Sequence, residues 1–249
     1  MKNTLQKEWE DYKLLMRNIP SVVVALYCVS VVGMNLMANK IIFNSAIVSA
    51  DGGLLLSWVP FLCMDMIIKR YGAKAAVEIN IVSLLINILF SILFSLVTMV
   101  QIDVGAAYAQ GDIYEAFNSV FDATWFVVLG SSLASFCSAV MNSFSNVSVG
   151  KLFKKDPDSK LAFFVRSYVS TFLAQFIDNL VFAVTVFMIF APIYWGFSLQ
   201  FVQCVGAGIL GAVLELLMEV IFSPIGYKIV KKWEREGIGS EYLNRAKQN

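Results

Sequence analysis

A stretch in the second half of the chain places three polar side chains inside an otherwise apolar run. In STFLAQFIDNLVFAV, residues 170–184, Gln175, Asp178 and Asn179 stand among aliphatic and aromatic neighbours. A carboxylate accepts hydrogen bonds and a carboxamide both accepts and donates them, so this set could bind a polar solute. An ionisable group in a bilayer is costly unless it faces a cavity or a partner. We therefore interpret Asp178 as a functional residue.

The elements that must position these side chains are membrane helices. The chain has 249 residues, of which 58% are hydrophobic and 15% charged, and a soluble domain of this length needs more charge on its surface. Apolar runs of about 20 residues are typical of transmembrane helices. The sequence therefore predicts an all-α, multi-pass protein of the cell membrane. The six predicted spans cover roughly residues 19–38, 53–69, 77–101, 124–150, 163–191 and 198–223.

The distribution of lysine and arginine predicts how these spans are oriented. Basic residues cluster before the first span, between spans 2 and 3, between spans 4 and 5, and after the last span. Because basic residues favour the cytoplasmic side, both termini are predicted to be cytoplasmic. Lys40 is the exception to this pattern. The predicted domains are a cytoplasmic amphipathic segment over 1–18, a membrane domain over 19–223 and a cytoplasmic tail over 224–249.

The segment 39–53 is too short and too polar to span the membrane. It predicts either a re-entrant piece or an extracellular hairpin that leads into span 2. Irregular backbone at membrane depth requires a cavity or surrounding protein. Within span 2 itself, Pro60 is predicted to kink the helix.

Other predicted spans carry polar residues at helical spacing. Small and hydroxyl residues also let membrane helices pack closely, so for most of these stripes packing remains an alternative to function. The carboxylate Glu215 in span 6 favours a functional role because of its cost in the bilayer. In span 4, one helix face carries Ser131, Ser135, Ser138, Asn142 and Ser145.

The chemistry that the sequence lacks narrows the function further. The chain contains no histidine, which excludes a histidine proton relay or histidine metal site. It has no zinc-protease motif, no nucleophile elbow and no phosphate-binding loop. We therefore predict a protein that is not an enzyme, with no cofactor and no metal. A net charge of +1 gives no reason to expect nucleic-acid binding, and converging polar stripes predict a pathway for a small solute.

Three stretches of the chain together resemble the queuosine precursor transporter family, also described as the vitamin uptake transporter family of six-helix membrane proteins. In NLMANKII, residues 35–42, Asn39 and Lys40 match the family pattern, and in DMIIKRYG, residues 65–72, the aspartate, tyrosine and glycine match. The third and most specific stretch is RSYVSTFLAQFIDNLVF, residues 166–182, where the matching positions are Arg166, Ser170, Thr171, Gln175, Asp178 and Phe182.

The chain also departs from the family pattern at positions that the resemblance places in the substrate cavity. Trp58 stands where the family usually has proline, and Asn179 stands where it usually has threonine. Ser143 and Asn146 occupy positions at which the family often has glutamine and aspartate. These departures leave open whether the substrate is the usual one.

The resemblance implies uptake of a 7-deazaguanine-type base such as preQ0, preQ1 or queuine. Asp178 would accept the paired N–H donors of the base edge, and Gln175 would donate to its carbonyl. Glu215 or Asp65 would face a protonated aminomethyl group if the ligand carries one. Asparagines would satisfy the ring nitrogens, and aromatic side chains would stack on the ring. The candidate substrate-binding residues are Asn39, Trp58, Asn142, Asn146, Gln175, Asp178, Asn179, Phe182 and Glu215.

A second hypothesis is that the chain is a substrate-binding subunit of an energy-coupling-factor vitamin importer. Such subunits are also small six-helix proteins, and they depend on partner ATPases. Their usual coupling face is an alanine-rich motif on the first helix, whereas VVVALYCVSVVGMNLMA, residues 22–38, has only scattered small residues. The expected partners are a small purine-like molecule and the lipid bilayer, with ATPases only under this second reading. A homodimer stays open.

Overall fold

A computed structural model describes residues 2–100, 111–150 and 160–247, with side chains over 6–142, 144, 145, 148 and 168–246 except within the gap 101–110. The order of elements follows the predicted apolar runs closely. The helices are α1 Lys2–Asn18, α2 Ser21–Met37, α3 Trp58–Tyr71, α4 Ala73–Met99, α5 Asp112–Phe121, α6 Thr124–Gly150, α7 Lys160–Ala183, α8 Ala191–Tyr194, α9 Phe201–Arg235 and α10 Ser240–Lys247. A two-stranded sheet, β1 Ile41–Asn44 and β2 Ser49–Asp51, lies between α2 and α3, followed by a 3-10 turn over Gly52–Leu55; a π-helical segment, Val184–Phe190, joins α7 to α8.

Several of these helices are membrane spans by their length and composition. Within the described residues, four stretches are long and apolar enough to cross a bilayer, and a bent pair of helices adds a fifth if it is one span. The all-α, multi-pass prediction is therefore confirmed. The six-span count and the cytoplasmic position of the termini stay predictions. The four stretches are Ala73–Met99, Asp112–Asn142, Tyr168–Tyr194 and Phe201–Arg235, and the bent pair is Gln6–Asn18 with Ser21–Met37, which meet at 99°.

Two predicted features of the helices differ in detail from the structure. The second predicted span begins at Trp58 and has 14 residues, because the preceding Gly52–Leu55 segment forms a 3-10 turn. Pro60 therefore lies in the first turn of α3, where the missing N–H has no helical partner to lose, and the predicted proline kink is not needed. At the other end of the chain, α9 continues through Pro224 to Arg235.

The described chain divides into two compact units, and each has its own apolar core. In the first unit, Leu15, Ile67 and Ile79 are fully buried. In the second, Phe126, Val127 and Val186 are fully buried. The first unit comprises Met1–Gly33, Leu56–Asn87 and Met218–Asn249, and the second comprises Met34–Leu55 and Ile88–Leu217.

Polar contacts fix the amphipathic helix α1 within the first unit. Glu8 of α1 pairs with Lys74 at the start of α4, and Asp11 accepts from Arg245 of α10. The Tyr71 hydroxyl donates to the carbonyl of Asn18 at 2.9 Å. The segment predicted as a separate cytoplasmic piece is thus a helix that packs on the ends of its neighbours.

The segment 39–53 forms a β-hairpin, which is one of the two predicted alternatives. The strands pair antiparallel, with Asn44 opposite Ser49 at the turn. Gln203 of α9 holds the turn, since its Nε2 donates to Asn44 Oδ1 at 3.0 Å and to the Ser45 carbonyl at 2.7 Å. The membrane side on which the hairpin lies stays a prediction.

The hairpin approaches α9 closely because Gly206 has no side chain. A Cβ at this position would lie 2.0 Å from the Ile47 carbonyl oxygen, which is backbone and cannot rotate away. The glycine therefore sets the distance between the hairpin turn and the helix.

We expect Gly206→Ala to lower the free energy of unfolding by at least about 2 kcal/mol, because the added methyl group collides with backbone. Gly226→Ala in the same helix is the matched control. Its Cβ would meet the tip of the Leu62 side chain at 3.0 Å, which can move, and alanine gains about 1 kcal/mol of helix propensity. Thermal unfolding in detergent measures both variants. Equal effects would show that the hairpin contact does not constrain α9.

Asp51, the last residue of the hairpin, has a buried carboxyl group, and we therefore expect the stability of the fold to depend on pH. Burial raises its pKa to about 6 from an ordinary 3.8, although Gly53 N–H donates to Oδ1 at 2.8 Å. The folded state thus binds the proton more tightly than the unfolded chain. The stabilising contribution is fully present below pH 3.8 and is lost as the pH rises through about 6.

The variant Asp51→Asn mimics the protonated carboxyl and should unfold at a higher temperature than wild type at about pH 7.5, with the difference closing below about pH 5. Asp112→Asn, at an exposed carboxylate, is the control and should leave the pH profile unchanged. Melting curves across this range measure the effect. An Asp51→Asn profile parallel to wild type would contradict the assignment.

Candidate functional site

The sequence-predicted polar residues of α7 and α9 form a group in the second unit, which we call the polar cluster: Gln175, Asp178, Asn179 and Glu215. Gln175 and Glu215 are each only 4% exposed, and Asp178 and Asn179 are half-buried. Gln175 and Asp178 lie three residues apart, so they share a face of α7. The cluster therefore sits within two apolar spans.

Asn179 connects the two helices of the polar cluster. Its Nδ2 donates to Glu215 Oε2 at 3.2 Å and to the Gln175 carbonyl at 3.0 Å. Gly211 makes room for it, because a Cβ there would lie 2.4 Å from Asn179 Cγ. The side chain that departs from the family pattern thus bridges α7 and α9 at a point of close approach.

Two acceptors in the polar cluster are left without partners. Gln175 Oε1 is buried and accepts no hydrogen bond in the part of the chain that the structure describes. Asp178 likewise makes no hydrogen bond or ion pair with any described residue. Because buried acceptors are normally satisfied, the Gln175 oxygen calls for a donor, and the half-buried Asp178 carboxylate lies on the same face of α7. The family resemblance assigns Gln175 a donor role, whereas the atom without a partner is its oxygen.

Span 4 contributes packing to this region more clearly than binding. The Ser138 hydroxyl of α6 donates to the Ala174 carbonyl of α7 at 2.9 Å, as small polar residues do between membrane helices. Asn142 is exposed and forms no hydrogen bond with a described residue. The side chain of Asn146 lies outside the described residues. The structure thus does not bring these two predicted asparagines to the polar cluster.

Of the aromatic side chains considered for stacking (Trp58, Phe61, Phe136 and Phe182), Trp58 and Phe182 have aromatic partners of their own. Phe182, one helical turn beyond Asp178, meets Phe187 edge to face with centroids 5.9 Å apart. Trp58 belongs to the first unit, where it stacks on Phe222 at 4.1 Å. Only Phe182 therefore lies on the same helix as the unpaired carboxylate.

Asn39 occupies a different place, where α2 leads into the hairpin. Its Nδ2 donates to the Leu36 carbonyl at 2.9 Å, and its buried Oδ1 has no partner among the described residues. Asn39 also lines a cavity of about 430 Å³, which we call the hairpin cavity. The residues that line it are Asn39, Lys40, Ile41, Asn44, Ser119, Val120, Trp195 and Phe197.

Most of the residues that line the hairpin cavity were not among the predicted site residues. Trp195 and Phe197 lie in the uncharged loop between the last two predicted spans, and no polar pattern marked them. Lys40 did give a signal, because it breaks the orientation pattern. Within the described residues, no group of three His, Cys, Asp or Glu side chains is placed to hold a metal ion.

A comparison with protein families identifies a relationship over most of the chain. A family model described as "putative vitamin uptake transporter" matches residues 51–229. This range includes the polar cluster and ends within α9. No curated protein and no solved structure matches the chain.

The contact between Asn179 and Glu215 can be tested by replacing the carboxylate. Glu215→Leu leaves an Asn179 N–H unpaired between two membrane helices, so we expect it to lower stability by about 1 kcal/mol. Glu215→Gln keeps an acceptor oxygen and should lower the stability by less than half of that amount. Thermal unfolding in detergent distinguishes the two variants. If glutamine costs as much as leucine, the charge and not this hydrogen bond carries the effect.

Proposed function

Because the chain belongs to the vitamin uptake transporter family, we propose that it imports a flat heterocyclic base of the 7-deazaguanine type, such as a precursor of queuosine. The family match covers residues 51–229, and the multi-pass helical fold suits a permeation pathway. No catalytic role is needed for any residue in this proposal. The substrate class rests on the chemistry of the polar cluster.

The observation that carries the proposal is the pair of unpaired acceptors on one face of α7. Asp178 and Gln175 Oε1 lack partners among the described residues, and both need N–H donors. The Watson–Crick edge of a guanine-type ring presents a ring N–H beside an exocyclic amino group. An ionised Asp178 would accept both in a charge-assisted pair, and Gln175 Oε1 would accept a further N–H of the base.

The same arrangement discriminates against adenine-type rings. Adenine carries an acceptor nitrogen where guanine carries the ring N–H, so Asp178 would face a lone pair instead of a donor. A site that binds its ligand through hydrogen bonds discriminates strongly against a ligand that leaves the buried polar groups of the site unpaired. We therefore expect guanine-type rings to be preferred.

Asn179 and Glu215 fit a supporting role in this proposal. Asn179 Nδ2 is already engaged by Glu215 Oε2 and by the Gln175 carbonyl, so it holds the turn of α7 that carries the acceptors. Glu215 also supplies a negative charge for an aminomethyl substituent on the base. Replacement of Asn179 would then change specificity through the position of Gln175.

The test is uptake of a labelled 7-deazaguanine base in cells that lack their own salvage of it. Asp178→Asn replaces one acceptor oxygen with a donor, and we expect uptake to fall by at least about tenfold at unchanged expression. Asp122→Asn, an exposed carboxylate in the same unit, is the matched control and should transport normally. Excess unlabelled guanine should compete, and adenine should not.

The outcomes also separate the two transport readings. Uptake by this chain alone supports a self-sufficient transporter. Uptake that appears only when partner ATPases are co-expressed supports the energy-coupling-factor subunit instead. Wild-type uptake by Asp178→Asn would remove the carboxylate from the site.

A further inference from the structure

The hairpin cavity holds groups that the polar cluster does not use. It lies between the hairpin and the loop that joins α8 to α9, and none of Gln175, Asp178, Asn179 and Glu215 lines it. Its volume of about 430 Å³ falls in the range of small-molecule sites. The cavity therefore has the size for a single-ring or double-ring heterocycle.

One wall of the cavity is aromatic. The rings of Trp195 and Phe197 are almost parallel, with an interplanar angle of 6° and centroids 6.3 Å apart. The Trp195 indole is fixed by its Nε1, which donates to the Ser119 carbonyl at 3.4 Å, and by a tilted contact with Phe126 at 4.9 Å. A rigid aromatic surface of this kind favours a planar ring as occupant.

The other wall supplies polar groups of both kinds. Lys40 is exposed and forms no ion pair with any described residue, and its ammonium carries three donors and no acceptor. Next to it, Asn39 Oδ1 is buried and unpaired among the described residues. A planar ligand with a carbonyl oxygen would accept from Lys40, whereas Asn39 Oδ1, which is enclosed by protein, would have to turn toward the cavity to accept a ring N–H.

Lys40 also lacks the explanation that fits the other basic residues. The lysines and arginines before span 1, between spans 2 and 3, between spans 4 and 5 and after span 6 follow the orientation rule, and Lys40 alone contradicts it. A lysine on the predicted outer side opposes the predicted orientation of the helices. A role in binding a ligand would explain why a lysine stands at this position.

We propose that the hairpin cavity is a second, weaker binding site for a planar heterocycle with a carbonyl group, in which Lys40 donates to the carbonyl oxygen while Trp195 and Phe197 stack on the ring. It rests on the proposed function for the choice of a 7-deazaguanine-type base as the ligand. Asn44, which lines the cavity and is held by Gln203, connects this site to α9.

The test uses the full chain in lipid nanodiscs, with 7-deazaguanine as the probe and equilibrium dialysis as the readout. The background variant is Asp178→Asn, which weakens the polar cluster, so that the remaining saturable binding reports the hairpin cavity. Adding Lys40→Gln should weaken this binding by about tenfold, since a charge-assisted hydrogen bond is lost. Adding Phe197→Leu should weaken it as well, because the flat face is removed.

Matched controls separate these effects from general changes. Lys228→Gln removes an exposed cation from α9, and Phe201→Leu removes an exposed ring beside the loop; neither should change the binding. The thermal unfolding temperature of each variant verifies its fold. Phe197 is itself exposed, so its replacement is expected to leave the fold intact.

Each result either supports the second site or overturns it. Residual binding that depends on Lys40 and Phe197 supports it. Absence of residual binding in Asp178→Asn, or residual binding that Lys40→Gln leaves unchanged, overturns it. Uptake by wild type, measured separately, tests the proposed function: Lys40-dependent binding without uptake would keep the site and reject transport, and uptake without Lys40-dependent binding would do the reverse.

Discussion

A polar group inside a bilayer needs a partner, and this requirement organises the second unit of the protein. Asn179 meets it by donating to both Glu215 and the Gln175 carbonyl, and Gly211 lets α7 and α9 come close enough for that contact. A side chain larger than hydrogen at residue 211 would collide with Asn179 and break its hydrogen bond to Glu215. The close contact of α7 with α9 therefore includes one polar bridge and a glycine that leaves room for it.

The same requirement singles out the polar groups on α7 that have no hydrogen-bond partner among the described residues. Gln175 Oε1 and Asp178 share a turn of α7 with Asn179, whose Nδ2 donates to two acceptors, so the lack of partners is not a general feature of the helix. Under the proposed function these acceptors would bind the ligand, while the Asn179–Glu215 hydrogen bond stabilises the contact between the two helices.

Much of the fold could be predicted because a bilayer demands long apolar runs. The apolar windows anticipated α2, α4, α6 and α7 closely and α9 only as far as its first two thirds, and the polar break at 39–53 indicated either a hairpin or a re-entrant piece. The late start of α3 could not be read in the same way, because the apolar Leu54 and Leu55 belong to a 3-10 turn. Spacing did place Gln175 and Asp178 on one face. It could not reveal that Asn179 reaches Glu215 or that Asn142 is exposed, since both depend on how neighbouring helices are rotated.

The π-helical segment Val184–Phe190 interrupts the α-helical geometry of the apolar stretch Tyr168–Tyr194. A π turn accommodates one residue more than an α turn, and one residue corresponds to a rotation of about 100° around a helix axis. The polar face of α7 and the aromatic residues from Phe187 onward therefore follow two different helical phases along one span. A row of residues that shares one face of α7 is therefore not continued on the same face beyond the π-helical segment, so the polar face ends where the aromatic residues begin.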